Sequence, residues 1–329
     1  MKGSVAVRLL VSTATAVLLA LTIALTGAAP QPKGDAADRP AASDPLLWRV
    51  DGRAPAYLFG TIHVPDARVL QLPVPVDDAL AEASALYTEI PMDLTTRLTL
   101  NDRVTLPPHQ RLQDILGEAL HTRLLKTFQT AMSDAAVPDA TADALETMLD
   151  RLKPWAALGQ VALLDYLPEL AAGRQPLDAV LYARAHADGK QVAALETVDE
   201  QVAAFDRFTH AEQTAMLRAA LDELDRARQT HTTPAEELVE AYLAGNLHQL
   251  NELLMDTATD VALARKFHDV MLVSRNRRMA ERIAAIRRAE PSTVHFFAVG
   301  ALHLSGPEGI PALLRDARFR VTRIKYSDQ

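Results

Sequence analysis

Six short apolar runs punctuate the chain, at 46–50, 57–62, 85–90, 191–196, 295–299 and 319–324. Each has strand length and is rich in aromatic, β-branched or small apolar residues, so each predicts a buried strand. Asp51-Gly52 marks a turn between the first two. The intervening segments carry helical spacing instead. Val76, Leu80 and Ala83 after Pro75 predict a helix, which with the strands on either side makes a βαβ unit. Residues 106–170 read as helical throughout, with helices over 111–132 and 140–152 and breaks at Pro154 and Pro168. A helix over 177–187 stops at Gly189, helices resume from 198 to about 288, and a last helix covers 310–317. Strands from both ends and the middle of the chain, separated by helices, predict one α/β domain over 44–329 built on a mainly parallel sheet. A large helical subdomain is inserted at about 106–170, with further helices at about 198–288.

The first 28 residues have a different pattern. Lys2 and Arg8 precede an unbroken apolar and small-residue stretch from Leu9 to Leu25, and Thr26-Gly27-Ala28 follows. This is the layout of a secretory signal with cleavage after Ala28. The apolar stretch is longer than the roughly 7–15 residues usual in a signal peptide, which leaves an N-terminal membrane anchor as the alternative. Both place the folded body outside the cytoplasm, periplasmic or secreted, and the second ties it to the inner membrane. Residues 29–43, with Pro30, Pro32, Gly34 and Pro40, read as a linker.

Composition narrows the chemistry. The apolar fraction of 49% suits a packed core, and the net charge of −8 opposes general nucleic-acid binding. With no cysteine there is no disulfide and no thiolate ligand, so any metal would rest on His, Asp, Glu or water.

Two of the apolar runs end in the same way. Tyr57-Leu58-Phe59 leads into Gly60-Thr61-Ile62-His63, and Phe296-Phe297-Ala298-Val299 into Gly300-Ala301-Leu302-His303. Glycine at a strand exit permits a tight turn or a close backbone approach, and α/β sheets put their active sites just past the strand ends. A single histidine there is ordinarily structural; the duplication points to one site assembled from both ends of the chain. Glu89 and Glu196 close two further strands. A carboxylate there is costly unless it is paired or faces water. Together the four residues suggest a nitrogen/oxygen metal site or an acid–base cluster.

The helix before the fifth strand carries a second anomaly. Leu272, Asn276, Met279, Ile283 and Ile286 form one stripe, which Asn276 interrupts with an amide that needs a partner. Arg275 lies one position round, either snorkelling to water or reaching the cleft to hold an anion or oxyanion. Arg277, Arg278, Arg282, Arg287 and Arg288 read as a solvated basic face. Asp178 opens the helix at 177–187, a position that suits an acid for structural reasons alone.

These blocks resemble the TraB/GumN family, which includes the pheromone-shutdown proteins and the Tiki metalloproteases. The likeness rests on Leu58 to His63 with Glu89, on Leu177-Asp178 through Gly189-Lys190 to Leu195-Glu196-Thr197 and Gln201, on Arg275-Asn276 with Met279, and on Ala298 to Leu304 with Gly306-Pro307 and Gly309. Pro65 stands where many relatives have glycine, and Ala317-Arg318-Phe319 replaces the usual Gly-aromatic before the last strand. The resemblance implies a fold of the erythromycin-esterase/ChaN type. It also implies a site made of the paired histidines, the glutamate and the helix arginine, and through the Tiki branch a divalent-metal-dependent protease.

The leading expectation is an exported metal-dependent hydrolase of peptides. His63, His303 and Glu89 would be metal ligands, Glu89 doubling as general base. Arg275 would stabilise an oxyanion, Asn276 would orient Arg275 or a ligand, and Glu196 would fix a histidine tautomer. A non-catalytic protein that sequesters a peptide or small ligand, and a metal-independent esterase, are the competing readings.

Overall fold

The structure, a computed structural model, describes residues 44–135, 142–230, 234–255 and 260–325. The signal or anchor segment at 1–28 and the linker at 29–43 lie outside the described residues. All six strands form: β1 (Leu47–Val50), β2 (Ala56–Thr61), β3 (Ala85–Thr88), β4 (Gln191–Ala194), β5 (His295–Gly300) and β6 (Val321–Arg323). They join one sheet in the order β4-β3-β5-β2-β1-β6. β4, β3, β5 and β2 run parallel, while β1 pairs antiparallel with both β2 and β6. Every residue of β2, β3 and β5 is buried. Their near-continuous apolar sequence is what a parallel strand covered on both faces requires.

The helices that matter for the site are α1 (Val74–Glu82), α2 (Leu177–Ala187), α3 (Val198–Phe205), α4 (Ser274–Ala289) and α5 (Ile310–Asp316). α2 spans the residues the sequence predicts, and Gly189 takes a left-handed φ of 71° just past it. The helix expected over 111–132 is instead two, Leu112–Leu116 and Glu118–Asp134. Gly117, at φ 76°, turns the chain between them. A π-helical turn, His268–Val273, runs directly into α4. Among the described residues, no helix is long and apolar enough to cross a membrane.

The arginines of α4 do not form one solvated face. Arg277 and Arg288 are exposed, but Arg287 is buried and donates to the carbonyls of Ala54 and Thr293. Arg278 donates to Glu196, and Arg282 to Glu200 and to the Leu195 carbonyl. The reason is placement. Three of the α4 arginines lie within reach of carbonyls and carboxylates beyond β4 and around the start of β5, and these draw them away from water.

Candidate active site

The parallel ladder between β3 and β4 continues one step beyond both strands. Leu195 N–H donates to the Thr88 carbonyl (2.8 Å) and Glu196 N–H to the Glu89 carbonyl (2.7 Å). Glu89 and Glu196 therefore sit side by side at the carboxyl edge of the sheet, 1% and 3% exposed. Two buried carboxylates this close need a cation, and Arg275 supplies it. Its guanidinium, itself fully buried, donates to Glu89 Oε2 at 2.6 Å and to Glu196 Oε2 at 2.9 Å through Nε. Arg278 covers the other oxygen of Glu196. Glu89 Oε1 accepts from the backbone N–H of Gly300 (2.7 Å), and Gln201 Nε2 lies 3.3 Å from Oε2.

The histidines flank this ion pair. β2 and β5 are neighbours in register, Thr61 opposite Gly300, so the two glycine–histidine turns leave the sheet together. Gly60 makes their meeting sterically possible. A Cβ there would lie 2.8 Å from Leu304 Cδ1 and 3.2 Å from Ala301 Cα, both on the turn Ala301–Leu304 that carries His303. The glycine of the first motif is thus the space occupied by the second. Tyr242 seals the same point, donating its hydroxyl to the Gly60 carbonyl (2.9 Å).

Each histidine is gripped at Nδ1. His63 Nδ1 lies 2.5 Å from Asp178 Oδ2, and the other Asp178 oxygen accepts from the Thr61 hydroxyl (2.7 Å). His303 Nδ1 lies 2.6 Å from Asn276 Oδ1, while Asn276 Nδ2 donates to the Glu308 carbonyl (2.8 Å). Both rings are fully buried. His303 Nε2 is 3.5 Å from Glu89 Oε1 and has no hydrogen-bond partner among the described residues.

Burial and charge act differently on these groups. For Glu89 desolvation works upward, but the charges of Arg275, His303 and His63 outweigh it and hold the carboxyl at about 2. For His303 burial dominates and pushes the imidazole down to about 4, Glu89 opposing and Arg275 assisting. For His63 burial also works downward, yet the charge and hydrogen bond of Asp178, with Glu89, leave it above its ordinary value.

The structure thus collects His63, Glu89, Glu196, Arg275, Asn276 and His303 into one buried cluster. Two contacts differ from the sequence expectation. Glu196 meets Arg275 and Arg278, and among the described residues no histidine hydrogen-bonds to it. Of the two partners expected for Asn276, it meets the histidine, His303, and not Arg275. Arg275 neither snorkels nor faces an open cleft; it is buried against two carboxylates. Asp178, which sequence reasoning explained as a helix-start acid, turns its oxygens to His63 and Thr61, and the N-terminus of α2 has no side-chain cap. Its signal lay in the family block around Leu177-Asp178, as did that of Gln201.

The donor set suits a divalent cation in part. Two imidazoles held at Nδ1 by oxygen partners are the usual arrangement of metal-binding histidines, and the orphaned His303 Nε2 beside a carboxylate oxygen is a polar atom in want of a partner. Each carboxylate oxygen accepts at two lone pairs, so Glu89 Oε1 retains one beyond Gly300. Among the described residues, however, no group of three His, Asp or Glu side chains stands ready-made as a cage.

Fold and site together define a mixed α/β protein with a polar centre buried at the carboxyl edge of a mostly parallel sheet. The chain belongs to the TraB/PrgY/gumN family, whose profile matches residues 46–323. It is 27% identical over 309 residues to "Metalloprotease TIKI1" of Danio rerio, covering 84% of this chain and 62% of that protein. It is 26% identical over 321 residues to "Metalloprotease TIKI homolog" of Amphimedon queenslandica, covering 88% and 63%. A similar match is human "Metalloprotease TIKI1", 26% identical with 84% and 61% covered. The chain therefore spans less than two-thirds of the length of these relatives. No solved structure matches it.

Proposed function

We propose that the protein is a metal-dependent hydrolase of peptides, exported from the cytoplasm. The observation that carries this reading is His303 Nε2, buried without a hydrogen-bond partner among the described residues, 3.5 Å from a carboxylate oxygen and beside a second histidine also held at Nδ1. The names of the relatives support the choice of peptide over other substrates. Export rests on the N-terminal sequence pattern.

In this reading His63, His303 and Glu89 hold the cation. When bound, a divalent cation supplies Lewis acidity for attack of water on a carbonyl. Arg275 keeps Glu89 anionic and fixed in direction, and the Gly300 N–H does the same from the other side. Glu196 holds Arg275 in place through two hydrogen bonds. Glu89, as a carboxylate beside the cation, is also the general base available to take a proton from water.

Metal analysis of the purified domain, with peptide hydrolysis assayed alongside, tests the proposal. The parent should carry about one equivalent of a divalent cation, and His63→Ala and His303→Ala should lose both the metal and the turnover. Turnover that survives complete metal removal would favour the esterase-like alternative. Tight peptide binding without turnover would favour a sequestering protein.

A further inference from the structure

Asp178 and Asn276 occupy equivalent places behind the two histidines, but one is a carboxylate and the other an amide. Asp178 is 1% exposed and both its oxygens are engaged, one by His63 Nδ1 and one by the Thr61 hydroxyl. A carboxylate only accepts, so the hydrogen of His63 sits on Nδ1. Asn276 is 2% exposed and its Nδ2 is committed to the Glu308 carbonyl, which fixes the amide with Oδ1 toward His303. That oxygen also only accepts, so His303 too carries its hydrogen on Nδ1. The two rings come from opposite ends of the chain and reach the same tautomer through partners of different charge.

We infer that Asp178 and Asn276 are positioning residues of unequal strength, which make His63 the stronger and His303 the weaker nitrogen donor of a divalent-cation site. A carboxylate behind an imidazole increases its electron donation, whereas a neutral amide only orients it. Among the described residues Asp178 makes no cap hydrogen bond to the helix it opens, and Thr61, its second partner, sits on the strand that delivers His63. The ranking of the two histidines rests on the metal reading of the site; the tautomer assignment does not.

Two measurements on the full chain separate these layers. The first is NMR of the imidazole nitrogens in histidine-labelled, metal-free protein in alkaline buffer. The second is a Co²⁺ titration followed by absorption. In the parent, His63 and His303 should both show the Nδ1–H form. Asp178→Ala should release His63 from that form and weaken Co²⁺ binding about 10–100-fold, the usual cost of losing such a partner. Asp178→Asn retains an accepting oxygen, so it should preserve the tautomer while still losing part of the affinity. Asn276→Ala should release His303 with a smaller loss of Co²⁺ affinity than Asp178→Ala. An unchanged His63 tautomer in Asp178→Ala overturns the positioning role. Should that variant not fold, parent-like Co²⁺ affinity in Asp178→Asn overturns the ranking, as does a larger loss from Asn276→Ala. A parent that takes up no Co²⁺ yet shows the expected tautomer changes would sink the metal reading and the ranking, and leave the positioning role standing.

Discussion

Arg275 donates to Glu89 across 2.6 Å with neither side chain accessible to water. The pair joins α4 to the end of β3, and Glu196 completes it from β4. Truncating the arginine would leave Glu89 buried without its guanidinium and Glu196 with Arg278 alone. Removal of one partner from a buried pair costs about 3–5 kcal/mol, so Arg275→Ala should lose about that much in urea denaturation. Arg275→Lys, which keeps the charge but not the fork, should fall between. A stability loss under about 1 kcal/mol for Arg275→Ala would show that the pair contributes little.

Glu89→Gln separates charge from shape. The amide still fills the space and Arg275 keeps Glu196, so the fold should survive with a loss of about 1–3 kcal/mol. Hydrolysis and bound metal should both disappear. Retention of a full equivalent of metal by this variant would remove Glu89 from the ligand set.

The metal-free protein should respond to pH in opposite directions through its two histidines. His303 is held near 4 by burial, so between about 6.5 and 4 the unfolded chain takes up a proton that the native state refuses, and stability falls as pH falls. His63 is raised. Its contribution is fully present below about pH 6.5 and is lost as pH rises through its folded value. Glu89, lowered to about 2, adds a loss that sets in below about 4.5. Thermal melts across pH should therefore flatten between about 4 and 6.5 in His303→Ala, while His63→Ala flattens the alkaline side. Identical acid slopes in parent and His303→Ala would refute the assignment.

Gly60→Ala tests the interlock of the two turns. The added methyl meets Leu304 Cδ1 at 2.8 Å and backbone at 3.2 Å, so overpacking should cost about 1–3 kcal/mol. Because the displaced turn carries His303, Co²⁺ affinity should drop with stability. A drop in stability alone would mean that the turn absorbs the strain without moving its histidine.

Arg318 is the one non-glycine with positive φ among the described residues, at 71°, in the tight turn between α5 and β6. A left-handed conformation costs an ordinary residue about 1–2 kcal/mol. Its side chain is exposed, so Arg318→Gly should stabilise the protein by up to about 1 kcal/mol after the entropy of the unfolded glycine is counted. Destabilisation in a chemical melt would show that the arginine side chain contributes more than the strain removes.

Much of this architecture is legible in the sequence. β2, β3 and β5 stand out because parallel strands covered on both faces are apolar throughout, and the glycine–histidine turns mark where two of them exit. Arg275 was not legible in the same way. α4 buries a face broader than its apolar stripe, taking in Arg275, Ala280, Ala284 and Arg287 beside Asn276, Met279 and Ile283. No periodicity of apolar residues reveals a buried arginine whose partners lie on β3 and β4. Asp178 was hidden for a related reason: an acid at a helix start already has a sufficient local explanation, and only the fold brings His63 against it. The single helix expected across Gly117 failed because one glycine among helix-forming residues is a weak signal until its φ is known.

β5 lies between β3 and β2, yet it is the second-to-last strand to be synthesised. Until residues 295–300 arrive, β2 and β3 have no strand to bridge them, and Glu89 lacks both the Gly300 N–H and His303. Filling the gap requires closing a loop that spans most of the chain, a slow step by the ordinary cost of non-local pairing. Joining of β2 to β3 through β5 and assembly of the polar centre are therefore one event in time. A nascent or truncated chain that ends before β5 holds every helix of the insertion, together with His63 and Glu89, but neither the Gly300 N–H nor His303. Its buried polar centre takes shape only when synthesis is nearly finished.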